Sequence, residues 1–471
     1  MKSVLIESLV FLLFFSSVSI PQEKPRPVVP RQIKAQTKPK AVNSDLVPDS
    51  TGKPRSVKQY FYQSVEEAIE NEPDIKRLNL INKKSKNLSP RIAELKELEY
   101  LNLMGNLLSF IPKEISQLKS LKEINLSRNG LTEIPFNLFL CENLEILDLG
   151  YNHLTSINGI SRFTKLKVLK LSKNQLDNLP DEVKELEFLT EIDISSNNFR
   201  FIPVVLSKMP AFQSANISMN QITQLNSDIS RFLNFRKLLI SDNKLNTIHK
   251  DISKLKNLEF LDLQQNQLTA LPQEFCSLAS LKVLHLSGNS LKELPENIGN
   301  LQKLEYISLN YIGGNFDYSS ISKLNKLITL ELNGNKIKQI PDFISKFTNL
   351  RSLSLRENEI TSFIPELFGL SKLAALDLSK NKILTLPPDI QKLTGLVTFN
   401  ADDNLIKALP PEFSNLNYLK SLSLVNNKID KLPAGMENMK NLRILNLKMN
   451  PISDGERSKI RSAMPKVLLT F

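Results

Sequence analysis

Residues 258–280 read LEFLDLQQNQLTALPQEFCSLAS, and this 23-residue stretch recurs along most of the chain in a degenerate form. The common pattern is L-x-x-L-x-L-x-x-N-x-L-x-x-I-P-x-x-I-x-x-L-x-x, where x stands for any residue. Seventeen units begin between Ile75 and Leu442, each 23 residues after the last except for one step of 22 between Leu144 and Leu166. A register kept over that length indicates one array of equivalent units rather than several globular domains.

Each unit is predicted to contain a short strand and a return segment. In the L-x-L pair every second side chain points to one face, which is typical of a β-strand. A strand that recurs after a return of about 20 residues pairs in parallel with its predecessor. The Pro112-Ile115-Leu118 spacing places proline at a predicted first helical position and apolar residues three apart, which favours a short helix or a 3₁₀ turn. Strands pack more closely than helices, so the array is expected to curve with its strands on the concave side.

An asparagine follows the L-x-L pair by three residues in fifteen of the seventeen units. Where the chain turns out of the strand, backbone N–H and C=O groups lose their partners, and a buried amide can donate and accept at once. We therefore expect a ladder of stacked asparagines, interrupted at Lys83 and Ile312. The ladder residues are Asn106, Asn129, Asn152, Asn174, Asn197, Asn220, Asn243, Asn266, Asn289, Asn335, Asn358, Asn381, Asn404, Asn427 and Asn450.

The composition agrees with this positional code and excludes several classes of protein. The 471 residues include 80 leucines and 46 asparagines, but only two cysteines and three histidines. Two cysteines exclude a disulfide framework and a cysteine-rich zinc protein. The formal charge of +12 suits an acidic surface partner, yet on a chain of this length it is not a nucleic-acid signature by itself.

The few metal-binding side chains are dispersed. His153, His249 and His285 lie in separate units, too far apart to share an ion, so we predict no metal site and no cofactor. Cys141 takes a core leucine position, and Cys276 lies six strands away, roughly 29 Å at the spacing of a β-sheet. A disulfide between them is not feasible at that distance.

This pattern resembles the leucine-rich repeat family over residues 75–450, in its 23-residue LPxxIxxL form, as at Leu179-Pro180 and Leu409-Pro410. It looks like the secreted repeat proteins common in bacteria, especially spirochaetes. The resemblance implies an α/β horseshoe solenoid with a concave parallel β-sheet of about 17 strands, one for each unit, and short helices or 3₁₀ turns on the convex side. It also suggests contact with host or cell-surface proteins and a part in adhesion or virulence.

The two ends of the chain carry their own signals. A basic start and a short apolar run predict a signal peptide over residues 1–19, and proline with lysine predicts a disordered linker over 20–56. Ser64 and Glu67 form a capping-box pattern within a predicted N-terminal cap at 57–74. Residues 451–471 are expected to form a C-terminal cap. The protein is thus expected to be exported, whether secreted, on the outer surface or in the periplasm, with no transmembrane segment after signal cleavage.

Three residues of the concave face have an order that resembles an acid–base–nucleophile relay. Asp262, His285 and Ser308 occupy the position between the two leucines of L-x-L in adjacent strands, roughly 4.8 Å apart. However, the repeat usually places Asp, Asn or Ser there, and no oxyanion donor accompanies them. We therefore predict no catalytic residues and no enzyme activity, with a hydrolase as the alternative hypothesis.

The unit from Leu304 is the most irregular, since residues 306–320 read YISLNYIGGNFDYSS. Gly314 replaces an inward apolar residue, and aromatic residues crowd the unit. Tyrosine is favoured at binding hot spots because it brings a large area and a polar tip. The predicted protein-binding residues are Tyr306, Asn310, Tyr311, Phe316 and Tyr318, together with His285 and Phe260. The alternative is a decayed repeat whose aromatic residues fill the space left by Gly314.

These observations predict an exported protein that binds another protein through its concave face. The expected partner is a host extracellular or cell-surface protein, with no nucleic acid, and the oligomeric state stays open. A second alternative is binding to a glycan or anionic surface through residues 20–56, which carry eight Lys or Arg between Lys24 and Arg55.

Overall fold

The computed structural model describes residues 60–471, together with the backbone of Val47–Pro48 and Pro54–Arg55, which pair antiparallel. The predicted signal peptide and the rest of the predicted linker lie outside the described residues. We number the repeats 1 to 17 from Ile75, Leu98 and so on to Leu442.

A single parallel sheet runs through the described chain, and each of its strands pairs with its neighbours in chain order. Seventeen three-residue strands, one in each repeat, confirm the predicted parallel sheet. A strand at each end extends it to nineteen strands in the described chain. In order, the strands are Tyr60–Phe61, Arg77–Asn79, Tyr100–Asn102, Glu123–Asn125, Ile146–Asp148, Val168–Lys170, Glu191–Asp193, Ser214–Asn216, Lys237–Leu239, Phe260–Asp262, Val283–His285, Tyr306–Ser308, Thr329–Glu331, Ser352–Ser354, Ala375–Asp377, Thr398–Asn400, Ser421–Ser423, Ile444–Asn446 and Leu468–Thr470.

The return segments form short 3₁₀ helices in repeats 1 to 16, which confirms the predicted short helices or 3₁₀ turns. Pro112, expected at the first helical position, is instead the extended residue just before the helix (ψ 151°), whereas Pro365 does occupy the first turn. The 3₁₀ helices are Pro90–Glu94, Lys113–Gln117, Phe136–Leu140, Ile160–Arg162, Asp181–Glu185, Val204–Lys208, Ser227–Arg231, Lys250–Lys254, Gln273–Ser277, Ile298–Asn300, Ser319–Lys323, Asp342–Lys346, Pro365–Gly369, Pro388–Lys392, Pro411–Asn415 and Met436–Asn438. A small parallel pair, Gln224–Leu225 with Thr247–Ile248, lies between repeats 7 and 8.

The core is one continuous column between the sheet and the 3₁₀ helices. Leu261, Leu263 and Phe275 of repeat 9 are all fully buried, and the equivalent residues of the other repeats stack above and below them. Burial of each such side chain contributes about 1.5–3 kcal/mol, so repeats are held mainly by apolar contact with their two neighbours.

A helix covers each end of this column. The N-terminal helix, Val65–Asn71, buries Val65 and Ala68, and its Ser64 hydroxyl accepts the Glu67 N–H at 3.2 Å. The Glu67 carboxylate accepts the N–H of Gln63 rather than that of Ser64, so the box reaches one residue further than its usual form. The C-terminal helix, Asp454–Ala463, buries Ile460.

Candidate functional site

The asparagine ladder holds the turns that follow the strands. Asn220 is typical: its Nδ2 donates to Ile217 O at 3.0 Å and to Ile194 O of the preceding repeat at 3.1 Å, while its Oδ1 accepts the Phe199 N–H at 3.0 Å. All fifteen predicted asparagines are buried, and each donates to a carbonyl of the preceding repeat. At the predicted interruption the Ile312 N–H donates to Asn335 Oδ1 at 2.9 Å.

The column that contains Asp262 has a structural role in the turn. Asp262 Oδ1 accepts the N–H of Gln264, two residues on, at 3.0 Å. The same bond is made by Asn102, Asn125, Asp148, Asp193, Asn216, Asp377, Asn400 and Asn446. A short side-chain acceptor that caps its own backbone is the usual reason for Asp or Asn at such a place. The acidic character of this column therefore follows from the turn.

In four of the repeats that lack Asp or Asn in this column, the preceding repeat supplies the acceptor. Repeat 11 has Ser308 in the column, and its Asn310 N–H donates to Ser287 Oγ at 3.0 Å. Repeat 12 has Glu331, and its Asn333 N–H donates to Asn310 Oδ1 at 2.8 Å. Both ends of the side-chain amide of Asn310, a predicted binding residue, are thus engaged within the protein: its Oδ1 accepts the Asn333 N–H, and its Nδ2 donates to the Glu331 carboxylate at 2.8 Å.

Three rings form a row across adjacent strands in the middle of the concave face. The His285 ring lies between those of Phe260 and Tyr306, with centroid distances of 5.4 and 4.7 Å. The Lys237 ammonium lies 5.5 Å from the Phe260 ring centroid, at one end of the row. Glu331 lies in the strand beyond Tyr306. We call the three residues that carry the rings, Phe260, His285 and Tyr306, the ring row.

Burial sets the titration of the ring row. It lowers the pKa of His285, although the negative charges of Asp262 and Glu331 oppose that shift. It also raises the pKa of the Tyr306 hydroxyl, and Glu331 adds to that shift. At neutral pH both side chains are therefore uncharged, and the row presents neutral rings between Lys237 and Glu331.

The predicted alternative of a catalytic relay has only part of its geometry. His285 Nδ1 lies 3.1 Å from Ser308 Oγ, but the hydrogen bond of Asp262 goes to the Gln264 backbone. A relay uses the two ring nitrogens of histidine for the acid and the nucleophile in turn. Ser308 is 1% exposed, so its hydroxyl is closed to a substrate.

Tyr311 lies in the turn that follows the strand Tyr306–Ser308, with a half-exposed ring that extends towards later repeats. Its backbone is left-handed (φ 54°), as is the residue before the ladder position in every repeat. A Cβ on Gly334 would lie 2.1 Å from the Tyr311 ring, so the absence of a side chain there leaves room for it. The hydroxyl donates to Glu357 Oε2 at 3.3 Å, two repeats away.

Phe316 and Tyr318 are not brought to the concave face with the other predicted binding residues. Tyr318 is the residue before the 3₁₀ helix Ser319–Lys323, and its ring lies 4.9 Å from that of Phe316 and 6.4 Å from that of Phe343. Phe316 is 6% exposed and packs in the core, whereas Gly314 is exposed. The predicted patch is therefore divided between the two sides of the solenoid. Burial raises the pKa of Tyr318 to about 12.

The remaining histidines and cysteines are isolated. His249 is the N-cap of Lys250–Lys254, where its Nδ1 accepts the Asp251 N–H at 3.2 Å, and His153 is exposed. Cys141 and Cys276 are buried free thiols, and burial raises the pKa of Cys141 to about 12. Within residues 60–471 no group of three His, Cys, Asp or Glu side chains is placed to hold a metal ion.

Sequence reasoning missed two polar neighbours of the ring row, Lys237 and Glu331. Both stand in strand positions of adjacent repeats, so their register was readable from the 23-residue spacing. Their proximity to the rings depended on side-chain length and direction, which the spacing does not encode.

No helix in the described part of the chain is both long and apolar enough to cross a bilayer.

Comparisons with known proteins agree on one repeat architecture. A model described as leucine-rich repeat region matches residues 213–333 and 342–468, and a leucine rich repeat model matches residues 119–176. The comparison with curated proteins finds no match. Among solved structures, a leucine-rich repeat protein of Leptospira interrogans is 34% identical, with coverage of 88% of this chain and 100% of that chain and a TM-score of 0.66.

More distant structures share the fold. A TDR receptor is 25% identical, with coverage of 79% of this chain and 68% of that chain and a TM-score of 0.55. The functional domain of InlJ from Listeria monocytogenes is 20% identical, with coverage of 81% of this chain and 74% of that chain and a TM-score of 0.50. At that level of identity the likeness concerns the fold alone.

Proposed function

Since the chain belongs to the leucine-rich repeat family, we propose that it binds another protein through the concave face of its sheet. Proteins with this fold are commonly scaffolds for protein interaction. Seventeen strands about 4.8 Å apart give an arc on the order of 80 Å. Such a surface accommodates a standard interface of roughly 800 Å² on each partner.

The ring row is the observation that carries this proposal. Phe260, His285 and Tyr306 lie side by side on three adjacent strands. The strands that follow present Thr329 and Ser352 at the position of Phe260, so the apolar rings end there. Interfaces are commonly anchored by a central group of aromatic side chains with polar residues around it.

The surroundings of the ring row define the chemistry of the partner. Lys237 at one end and Glu331 at the other provide charges of opposite sign four strands apart, with neutral rings between them. A partner that matches this surface offers an apolar or aromatic side chain over the rings, an acidic group towards Lys237 and a basic group towards Glu331.

Export and a host or cell-surface partner form the finer part of this proposal. Export is supported by the signal-peptide pattern of residues 1–19, and an exported repeat protein meets its partners outside the cytoplasm. The full chain, produced in a bacterium with a secretory pathway, is expected to be recovered outside the cytoplasm with a new N-terminus near Ser19. An intact Met1 on cytoplasmic protein would contradict export and leave the binding proposal standing.

The binding proposal is tested by affinity capture from serum and extracellular-matrix proteins with the full chain as bait. A Phe260→Ala/His285→Ala variant is expected to lose the captured partner or to bind it at least tenfold more weakly. The matched control, Phe136→Ala/Phe188→Ala, removes two rings that are 70% and 56% exposed elsewhere on the solenoid. Equal affinity for the two variants, both shown to be folded by circular dichroism, would argue against the ring row.

A further inference from the structure

The edge of the sheet at which the strands begin carries charges that are paired along much of its length. From repeat 1 to repeat 5 and from repeat 8 to repeat 11, the residue just before the strand alternates in sign between neighbouring repeats, and several of these side chains bond across the repeat boundary. The pairs are Lys76 with Glu99 at 3.2 Å, Lys122 with Glu99 at 3.0 Å, Lys167 with Glu145 at 2.7 Å, Arg236 with Glu259 at 2.8 Å, and Lys282 with the same Glu259. Along these repeats the cations have carboxylate partners from the chain itself.

From repeat 10 to repeat 14 the same edge opens into a basic groove of about 410 Å³. Its charged lining consists of Lys282, Lys303, Lys326, Arg351 and Lys372 with one carboxylate, that of Glu305. We call this feature the basic groove. Its volume lies within the range of about 300–1,000 Å³ typical of ligand sites.

A break in the alternation explains why positive charge accumulates here. After Glu305 the position just before the strand holds Ile328 and then Arg351, so the alternation stops and a cation stands at Arg351, where a carboxylate would continue the series. Lys303 and Lys326, two residues earlier in their repeats, make no ion pair within residues 60–471. Several cations that share one concavity raise the local positive potential and attract an anion.

The arrangement of the basic groove favours an extended ligand. Lys303, Lys326 and Lys372 occupy the same turn position in repeats 11, 12 and 14, so they follow the solenoid at the pitch of its strands, about 4.8 Å per repeat. Lys372 Nζ also donates to the Asn349 amide oxygen at 2.8 Å, which ties the lining of repeat 14 to that of repeat 13. A single small anion would contact only part of such a row.

We propose that the basic groove binds a linear sulfated polysaccharide. Sulfate groups spaced along the polymer match cations that recur from repeat to repeat, and the amides of Gln302 and Asn349 suit the hydroxyl groups of sugars. Single-stranded nucleic acid is disfavoured because its binding usually relies on aromatic side chains for stacking, and none of the residues that line the groove is aromatic. This site is separate from the ring row and does not depend on the protein-binding proposal.

The test measures heparin binding by the full chain. A Lys303→Gln/Lys326→Gln/Lys372→Gln variant is expected to bind heparin about tenfold more weakly, because three exposed charge contacts of modest strength are lost together. The matched control, Lys76→Gln/Lys122→Gln/Lys167→Gln, removes the same charge from the paired part of the same edge and is expected to change affinity less than about twofold. The basic residues of 20–56 are unchanged in both variants, so they contribute equally.

Three further ligands and the salt dependence identify the partner class. Desulfated heparin, single-stranded DNA and polyglutamate are each expected to bind at least tenfold more weakly than heparin, and higher salt should weaken heparin binding less in the groove variant than in the control. Equal losses in the two variants would overturn the proposal, since the interaction would then follow net charge. Binding of DNA or polyglutamate as strong as that of heparin, lost with the same three lysines, would also overturn it in favour of another polyanion.

Discussion

Replacement of one ladder asparagine tests how the solenoid is held together. In Asn220→Ala the carbonyls of Ile194 and Ile217 each keep one donor, because Asn197 and Asn243 also bond to them at 3.1 and 3.0 Å. The group left without a partner is the buried N–H of Phe199, whose acceptor was Asn220 Oδ1 at 3.0 Å. The free energy of unfolding is therefore expected to fall by about 2–3 kcal/mol, mostly from this single orphaned donor.

The assay combines urea unfolding, followed by circular dichroism, with hydrogen exchange of individual segments. The segment that contains the Phe199 amide should exchange at least tenfold faster in the variant, while repeats 12 to 16 keep their protection, because each repeat contacts only its neighbours. Asn198→Ala is the control, since this adjacent asparagine is exposed, and it should change stability by less than about 0.5 kcal/mol. If both variants lose the same stability, or if Phe199 stays protected, the ladder does not carry the stability assigned to it.

Three other predictions concern pH, thiol chemistry and the irregular repeat. The lowered pKa of His285 means that the folded state favours the neutral ring. The contribution of His285 to the stability of the fold is therefore present above the unfolded pKa of about 6.5 and is lost as the pH falls below it. The melting temperature of His285→Gln should thus fall less than that of the wild type between pH 7 and pH 5. Cys141 and Cys276 are buried, so a thiol reagent should label neither in native protein and both in denaturant. Gly334→Ala places a Cβ 2.1 Å from the Tyr311 ring at a φ of +66°, and it should lower stability by about 1–2 kcal/mol and move that ring, measured by melting and by tyrosine fluorescence.

Each of these predictions has a contrary result. The same melting profile from pH 7 to pH 5 for His285→Gln and wild type would mean that His285 is not held neutral by burial. Rapid labelling of native protein would place a thiol at the surface. For the glycine, Gly369→Ala serves as control because it has open space and no left-handed backbone, and equal stability of the two alanine variants would contradict the contact with Tyr311.

The repeat fold could be predicted almost completely because its information is local and recurs every 23 residues. The L-x-L spacing placed the strand of each repeat, and the position of Asn220 and its equivalents placed a donor and an acceptor at each turn. A one-residue error arose at Pro112, since a 3₁₀ helix can begin after a proline as well as on it.

The candidate site could be predicted only in part. Phe260, His285 and Tyr306 were placed in adjacent repeats by register alone, and the structure joins their rings. Tyr318 was grouped with them because it is close in sequence, yet the return of the chain carries it to the other side. Asn310 was predicted to bind the partner, although its amide oxygen accepts a hydrogen bond from the turn of the next repeat.

By itself the sequence determined the number of repeats, the strand register and the residues of the core, because each of these depends on a pattern within one unit and its nearest copy. The tertiary structure alone decided which side chains meet across repeats. Tyr311 reaches Glu357 at a separation of 46 residues, and Lys303 lies with Lys372 in one groove only because the intervening repeats stack. Side-chain length and direction, together with Arg351 in place of an alternating carboxylate, turn a uniform repeat into distinct surfaces, and the 23-residue pattern does not specify them.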